Sequence, residues 1–316
     1  MRFSTIALPA VAFGILVSVR ADAQEPKVEP PDDPARTQTL TPAPAQAAKP
    51  ASPPFAVDPV ADGAITLGVG TFAFVLNAID STGEVRPQQI SSTFTSSQLL
   101  WIDRSAIHQT PSSLAGTLSS VGLGVAIGFS VLDTAYTGIK GASLQAGLTD
   151  ALIYLETFAT TWGLTNLAKI AVRRPRPIAY IDRANHANDP SYSNADLDSS
   201  LSFFSGHASF VSAAVSTATY LAFVRSPHSL RPWLTLGLGA ALTGFVSWAR
   251  VRAAAHFPTD VIAGSIAGAG VGVLVPHLHR TTAVEERRIW IGAAPAPSTP
   301  AGRRAEGGTI SLSGTF

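Results

Sequence analysis

Residues 250–276 read RVRAAAHFPTDVIAGSIAGAGVGVLVP, a polar turn followed by a run without charge. Pro258-Thr259-Asp260 is typical of a helix start, because proline fits the first turn and a short polar side chain can cap free N–H groups. The run that follows to Val275 has the length of a helix, and Pro276 is expected to end it. Glycine recurs every fourth residue on one face, which predicts close contact with a neighbouring helix: Gly264, Gly268 and Gly272.

Five similar runs, nearly free of charge, predict five more helices upstream. Their expected ranges are 63–79, 113–132, 149–172, 207–224 and 232–251, and the last helix covers 258–275. Asp133 follows the second run, and Pro175 and Pro177 prevent the third from continuing. A polar loop over 178–203 separates the third run from the fourth. The sequence therefore predicts an all-α fold, a six-helix bundle.

The composition limits the class of protein. Apolar residues make up 46% of the chain and charged residues only 14%, with a net charge of +1, which argues against a nucleic-acid partner. The absence of cysteine excludes disulfides and thiolate metal sites. Each run holds about 15 to 20 apolar residues, short to marginal for a bilayer, so membrane and soluble bundles both remain open. The low charge favours the membrane.

The two ends of the chain differ from its centre. Residues 1–23 are typical of an export signal, with Arg2, an apolar run over 6–19 and Ala21-Asp22-Ala23 as a cleavage site, and an uncleaved signal anchor is the alternative. Residues 24–59 are rich in proline and alanine and are predicted to be a disordered linker. The helical domain is expected over 60–280. A polar tail over 281–316 can form a β-hairpin from residues 287–292 and 309–316.

Charged and imidazole side chains stand mainly where the predicted helices end. When consecutive helices run antiparallel, the end of the third, the start of the fourth, the end of the fifth and the start of the sixth share one end of the bundle. We therefore expect six residues to converge there: Lys169, Arg176, His207, Arg250, His256 and Asp260. The three cations of this set, Lys169, Arg176 and Arg250, suit the oxygens of a phosphoryl group.

The neighbouring residues fit the same chemistry. Ser205-Gly206 precedes the fourth helix, where free N–H groups and the helix dipole favour an anion. His256 can act as a nucleophile if a carboxylate fixes its tautomer, and Asp260 is close enough in sequence to do so. His207 would then protonate the leaving alkoxide. Asp260 alone is more commonly a helix cap, so only the whole set predicts a phosphate site.

Three motifs resemble the signature of the type 2 phosphatidic acid phosphatase and vanadium haloperoxidase superfamily. They lie within residues 150–276 and are Lys169, six residues, then Arg176-Pro177; Ser205-Gly206-His207; and Arg250, five residues, His256, three residues, Asp260. Phe204 replaces the usual proline, and Ala249 replaces the usual serine beside Arg250. Neither departure removes a charge or a nucleophile, although the second removes a hydroxyl next to a phosphate-binding cation.

The resemblance implies metal-independent hydrolysis of a phosphomonoester or pyrophosphate through a phosphohistidine, without a cofactor. By it, His256 is the nucleophile, Asp260 its orienting partner and His207 the acid. It implies a phosphate site of Lys169, Arg176, Ser205, Gly206 and Arg250, and assigns no metal ligand. The leading substrate is a lipid of the phosphatidate, phosphatidylglycerophosphate or isoprenyl pyrophosphate class. The alternatives are a soluble periplasmic acid phosphatase and a vanadate-dependent haloperoxidase; a non-enzymatic membrane protein would leave the convergent charges unexplained.

The signals for localisation conflict. A cleaved export signal followed by six spans would place the catalytic end inside the cell. The positive-inside rule predicts the reverse, because basic residues occupy the other end: Lys140, Arg225, Arg231 and Arg280. We expect a bacterial-type cell-envelope protein, in the inner membrane with its site facing the periplasm, and a soluble or peripheral periplasmic protein is the alternative. The oligomeric state does not follow from the sequence.

Overall fold

The computed structural model describes residues 53–141, 143–186, 189, 201–281, 290–295 and 308–313. The predicted export signal and most of the predicted linker lie outside the described residues. The chain divides into two compact units, one over Pro53–Thr281 and one made of the two termini. Every site discussed below lies in the first unit.

The first unit is all-α, as predicted. Its described residues contain seven α-helices and two short 3-10 turns, Ser96–Gln98 and Arg104–Ile107. The helices are α1 (Ala61–Ser81), α2 (Ser113–Lys140), α3 (Leu144–Val172), α4 (Pro177–Asn185), α5 (Gly206–Arg225), α6 (Arg231–Arg252) and α7 (Pro258–Leu278). The six long helices correspond to the six predicted runs, and α4 is an addition, because Pro177 starts a short helix inside the segment predicted as loop.

Two predicted helix ends are wrong for identifiable reasons. Helix α2 continues past Asp133 to Lys140, because the buried Asp133 carboxylate is paired with Arg231 at 2.6 Å and accepts a hydrogen bond from the Tyr154 hydroxyl. Helix α7 continues past Pro276 to Leu278. A proline removes the hydrogen bond to the carbonyl four residues earlier. Here the hydroxyl of Thr217 in α5 donates to that carbonyl, Gly272 O, at 3.2 Å.

Helices α5 and α7 are in backbone contact along the glycine face predicted from the sequence. A Cβ atom at Gly264 would lie 2.6 Å from the carbonyl oxygen of Ser205, and one at Gly268 would lie 2.0 Å from that of Ser209. At Gly272 the corresponding distance to the carbonyl oxygen of Ala213 is 2.4 Å. No side chain fits in these gaps, so glycine sets the distance between the two helices that begin at the site.

Much of the outer surface of the bundle is apolar. Large side chains project outward from several helices, including Phe74 (61% exposed), Leu132 (68%), Leu238 (71%) and Ile266 (68%). Within the part of the chain that the structure describes, five helices are long and apolar enough to cross a membrane: α1, α2, α5, α6 and α7. An apolar surface of this extent is costly in water and favourable in lipid, so the chain is a membrane protein.

The described residues of the second unit form two antiparallel strands, β1 (Trp290–Pro295) and β2 (Gly308–Ser313). Their register pairs Trp290 with Ser313 and Pro295 with Gly308.

Candidate active site

The polar residues singled out from the sequence lie at one end of the bundle, where five helices begin or end. Lys169 is in the last turn of α3, Arg176 is the N-cap of α4 and Ser205 is the N-cap of α5. Arg250 lies in the last turn of α6, and Asp260 in the first turn of α7. His207 follows Gly206 in the first turn of α5, and His256 is in the turn between α6 and α7.

Three cations at this end lie close enough to repel one another. The positive charges of Arg176 and Arg250 act on the ammonium group of Lys169. In the described residues neither Lys169 nor Arg250 forms an ion pair, and the buried Nε of Arg250 has no hydrogen-bond partner. Lys169 and Arg250 without an ion pair in a partly buried site favour the binding of an anion, which would supply negative charge and hydrogen-bond acceptors.

The start of α5 faces these cations. The Ser205 hydroxyl accepts a hydrogen bond from Ala208 N at 3.5 Å, and Ser205 N donates to the carbonyl of Asp260 at 3.1 Å. A Cβ atom at Gly206 would meet only Thr165 Cγ2 at an ordinary 3.5 Å, so protein packing does not require glycine there. The missing side chain leaves backbone N–H groups approachable by an anion at the positive end of the helix dipole.

The hydrogen bonds of His256 determine which ring nitrogen is free. Its Nδ1 lies 2.8 Å from the carbonyl oxygen of Ser202, which only accepts, so Nδ1 carries the proton and Nε2 has the lone pair. Burial lowers the pKa of the His256 imidazole well below its usual value, and the charges of Arg250, Arg176 and Lys169 lower it further. The imidazole is therefore neutral, as a nucleophile must be.

Asp260 does not contact His256 as the sequence analysis expected. The Asp260 Oδ2 atom is 4.0 Å from His256 Nδ1, too far for a hydrogen bond. Ser202 lies between them, because its hydroxyl donates to Asp260 Oδ2 at 2.5 Å while its carbonyl accepts from His256. The same carboxylate accepts from Phe257 N at 2.9 Å and so also caps α7. Asp260 acts on the imidazole through Ser202 and the turn, and not by direct pairing.

Sequence reasoning gave Arg174 no role, but its guanidinium connects two buried carboxylates. It donates to Asp260 Oδ1 at 2.6 Å and to Asp103 Oδ2 at 2.8 Å, and it lies 4.0 Å from the ring centroid of Phe257. Asp103 also accepts from the main-chain N and the hydroxyl of Thr259. Burial opposes the charge of Arg174, but the two carboxylates outweigh burial and raise its pKa. No local pattern marks Asp103, which lies far upstream in the chain.

Helix α2 supplies two hydroxyls that sequence reasoning also missed. Ser120 Oγ lies 3.3 Å from His207 Nε2, and Ser119 Oγ lies 3.4 Å from a terminal nitrogen of Arg250. The buried Ala249 cannot give Arg250 the hydroxyl that the resemblance calls for. Ser119 supplies one from the neighbouring helix, so a hydroxyl beside this guanidinium is retained.

A family model described as the PAP2 superfamily matches residues 150–283. No curated protein matches the sequence. A similar solved structure is the crystal structure of the first transmembrane PAP2 type phosphatidylglycerolphosphate phosphatase from Bacillus subtilis. It is 18% identical, with a TM-score of 0.41, and the match covers 69% of this chain and 94% of that chain.

Proposed function

Since the chain belongs to the PAP2 superfamily and is a phosphoric ester hydrolase, we propose that it removes phosphate from a lipid phosphomonoester or pyrophosphate through a phosphohistidine. The candidate substrates are phosphatidate, phosphatidylglycerophosphate and isoprenyl pyrophosphate. The observation that carries the proposal is the neutral, buried His256, with Nδ1 held by Ser202 and the positive charges of Arg250, Arg176 and Lys169 acting on its ring. A soluble acid phosphatase is disfavoured by the exposed apolar faces of the bundle.

In the first step, His256 Nε2 attacks phosphorus and forms a P–N bond as the bond from phosphorus to the leaving oxygen breaks. The bound phosphate offsets the positive charges of Lys169, Arg176 and Arg250 around His207, which favours the protonated imidazole in the complex with substrate. His207 then gives its proton to the leaving oxygen, so a phosphomonoester releases a neutral alcohol and a pyrophosphate releases a monophosphate. In the second step, neutral His207 takes a proton from water, whose oxygen attacks phosphorus and breaks the P–N bond. Inorganic phosphate leaves, and both imidazoles return to their starting states.

The remaining residues stabilise the charge on the transferred group. Lys169, Arg176 and Arg250 approach the three equatorial phosphoryl oxygens, where charge accumulates during transfer. The Ser205 hydroxyl can donate its own proton to the phosphate, and the main-chain N–H of Gly206 offers a second donor at the start of α5. Ser119 and Ser120 orient Arg250 and His207 from α2. Positive side chains and N–H groups supply this stabilisation without a metal ion.

The test is phosphate release by purified protein in detergent micelles containing one lipid substrate at a time. We expect His256→Gln to lower the rate by more than about 1,000-fold, because the nucleophile is lost. His228→Gln is the matched control, because His228 is exposed in the loop between α5 and α6. Wild-type protein quenched during turnover should also carry an acid-labile phosphoryl group that is absent from His256→Gln. Full activity in His256→Gln would refute the mechanism.

A further inference from the structure

A second cluster of titratable side chains lies far from the phosphate site. Asp62 is in the first turn of α1, Glu156 is within α3, and His279 follows the end of α7. Helix α7 has 21 residues and His256 precedes its first turn, so His279 is about 30 Å from the nucleophile at 1.5 Å per residue. The catalytic steps described above do not use this cluster.

The three side chains converge although they are distant in sequence. His279 Nε2 is 3.3 Å from Glu156 Oε2 and 3.5 Å from Asp62 Oδ2, and all three atoms lie within 4.8 Å of one another. The side chains are largely buried, with His279 9% exposed, Glu156 12% and Asp62 18%. Two carboxylates in such a place need a shared positive charge, because a buried anion without a partner is costly.

The other ring nitrogen of His279 shows which atom faces the carboxylates. Its Nδ1 lies 2.9 Å from the carbonyl oxygen of Val275 and donates to it, so Nε2 is the ring atom that faces the cluster. The buried Oε2 atom of Glu156 has no hydrogen-bond partner in the described residues, so its 3.3 Å approach to Nε2 is not a hydrogen bond. The Nε2 atom of His279 and one carboxylate oxygen each from Asp62 and Glu156 thus surround one small space.

We propose that Asp62, Glu156 and His279 bind a divalent transition-metal ion, for which Zn²⁺ is the best match. Imidazole nitrogen and carboxylate oxygen bind zinc at about 2.0–2.2 Å. At bonds of about 2.1 Å, two ligands on a tetrahedral zinc ion lie about 3.4 Å apart. The distances of 3.3 and 3.5 Å from His279 to the two carboxylates match this edge. Water would take the fourth position.

The ligand types of the cluster favour Zn²⁺ over Ca²⁺ or Mg²⁺. These harder cations take oxygen ligands, whereas an imidazole suits zinc. The carbonyl of Val275 orients the ring of His279, and Asp58 N donates to Asp62 Oδ2 at 2.7 Å. Outer hydrogen bonds of this type hold metal ligands in place. The ion would join α1, α3 and the end of α7, where Ala56 N also donates to the carbonyl of His279 at 2.9 Å.

The test is zinc binding to the tag-free full chain in detergent after treatment with a chelator. We expect isothermal titration and elemental analysis to give about one tightly held Zn²⁺ per chain, and zinc to raise the unfolding temperature. His279→Gln and Glu156→Gln should each weaken zinc binding by at least about tenfold. Glu156→Gln keeps the shape of the side chain while removing its charge. Helical circular dichroism checks that each variant is folded.

His228→Gln is the matched control, because it removes an exposed histidine and should leave zinc content unchanged. An imidazolium paired with the two carboxylates would need no metal and predicts a wild-type protein that retains no zinc. That result overturns the proposal, and so does equal zinc affinity in wild type and both glutamine variants. Phosphate release is measured alongside and should not change with zinc, so failure here is distinct from failure of the proposed phosphatase mechanism.

Discussion

At the residue scale, the orientation of His256 depends on a chain of contacts that reaches well beyond its neighbours. Ser202 holds the imidazole through its carbonyl and holds Asp260 through its hydroxyl. Asp260 is in turn fixed by Arg174, and Arg174 by Asp103. We infer that these buried charges act by fixing the turn before α7, in which Ala254 adopts a φ of 54°. A non-glycine residue there needs such support.

Asp103 should therefore be a positioning residue for catalysis. We expect Asp103→Asn to lower kcat by about 10- to 100-fold with a smaller effect on KM, because Arg174 and the turn lose one support but the cations remain. The measurement is steady-state phosphate release together with thermal unfolding. Asp133→Asn is the matched control, because it breaks a buried ion pair with Arg231 at the other end of the bundle. It should destabilise the fold while leaving kcat of the folded enzyme unchanged; equal kcat losses in both variants would refute a positioning role.

The low pKa of His256 also predicts a dependence of stability on pH. The buried imidazole stays neutral below its usual pKa of about 6.5, while the same histidine in the unfolded chain takes up a proton. The unfolded state then binds more protons, so stability is full above about pH 6.5 and falls as the pH is lowered. We expect the unfolding temperature, measured without phosphate between about pH 7.5 and 5.5, to fall less in His256→Gln than in wild type. Parallel curves would contradict this assignment.

The convergence of the residues proposed to bind phosphate was predictable, because each stands at the end of a charge-free run. Antiparallel connection of the runs brings Lys169, Arg250 and His256 together without further information. The contacts that support them were not predictable. Asp103 and Ser119 have no periodic or local signal, and they meet Arg174 and Arg250 only through tertiary packing. Sequence spacing suggested a direct contact between Asp260 and His256, but the carbonyl of Ser202 occupies the nearer position.

At the element scale, the glycines of α7 determine how closely it packs on α5. We expect Gly268→Ala to destabilise the bundle by about 3 kcal/mol, because the new methyl group would lie 2.0 Å from the carbonyl oxygen of Ser209, where no side chain can move aside. Gly270→Ala is the matched control in the same helix, with no atom within 4 Å of its Cβ position. Thermal unfolding in detergent should separate the two variants. Equal stability would mean that the helices can shift apart.

Helix boundaries show what sequence reasoning cannot supply. Charge and proline were treated as signals that end a helix, and both failed where a distant group compensated. The carboxylate of Asp133 is paired with Arg231. The carbonyl of Gly272, which Pro276 leaves without its helical N–H partner, accepts a hydrogen bond from the Thr217 hydroxyl. In each case the compensating residue comes from another helix, so the information lies in the tertiary structure. The runs themselves were well predicted, because long apolar segments bounded by polar turns leave few alternatives.

At the scale of the whole molecule, the orientation in the membrane is open to a direct test. We propose that the catalytic end faces the periplasm, in agreement with the basic residues predicted at the other end. The chain has no cysteine, so single cysteines can be placed at will. Ser92 lies in the exposed segment before α2, and Ser229 in the loop before α6. A membrane-impermeant thiol reagent on intact cells should label Ser92→Cys and not Ser229→Cys; the reverse pattern would place the site in the cytoplasm.

The catalytic unit is larger than the segment that matches the family model. The match begins at residue 150, after the residues that support Arg174, Arg250 and His207 from upstream: Asp103, Ser119 and Ser120. A protein limited to the matched segment would also lack α1 and α2. The enzyme therefore needs residues from the start of the bundle to complete its site.

The backbone contact between α5 and α7 also affects how the enzyme responds to its bilayer. His207 lies in the first turn of α5, and His256 lies two residues before the start of α7. The spacing of the two imidazoles is therefore set by the close approach of the main chain at Gly264 to that at Ser205. We infer that changes in lateral pressure or bilayer thickness, which act on the outer side chains, tilt the two helices together. Membrane mechanics should then alter the rate at which lipid reaches the pocket, while the rate of phosphoryl transfer stays the same from one membrane to another.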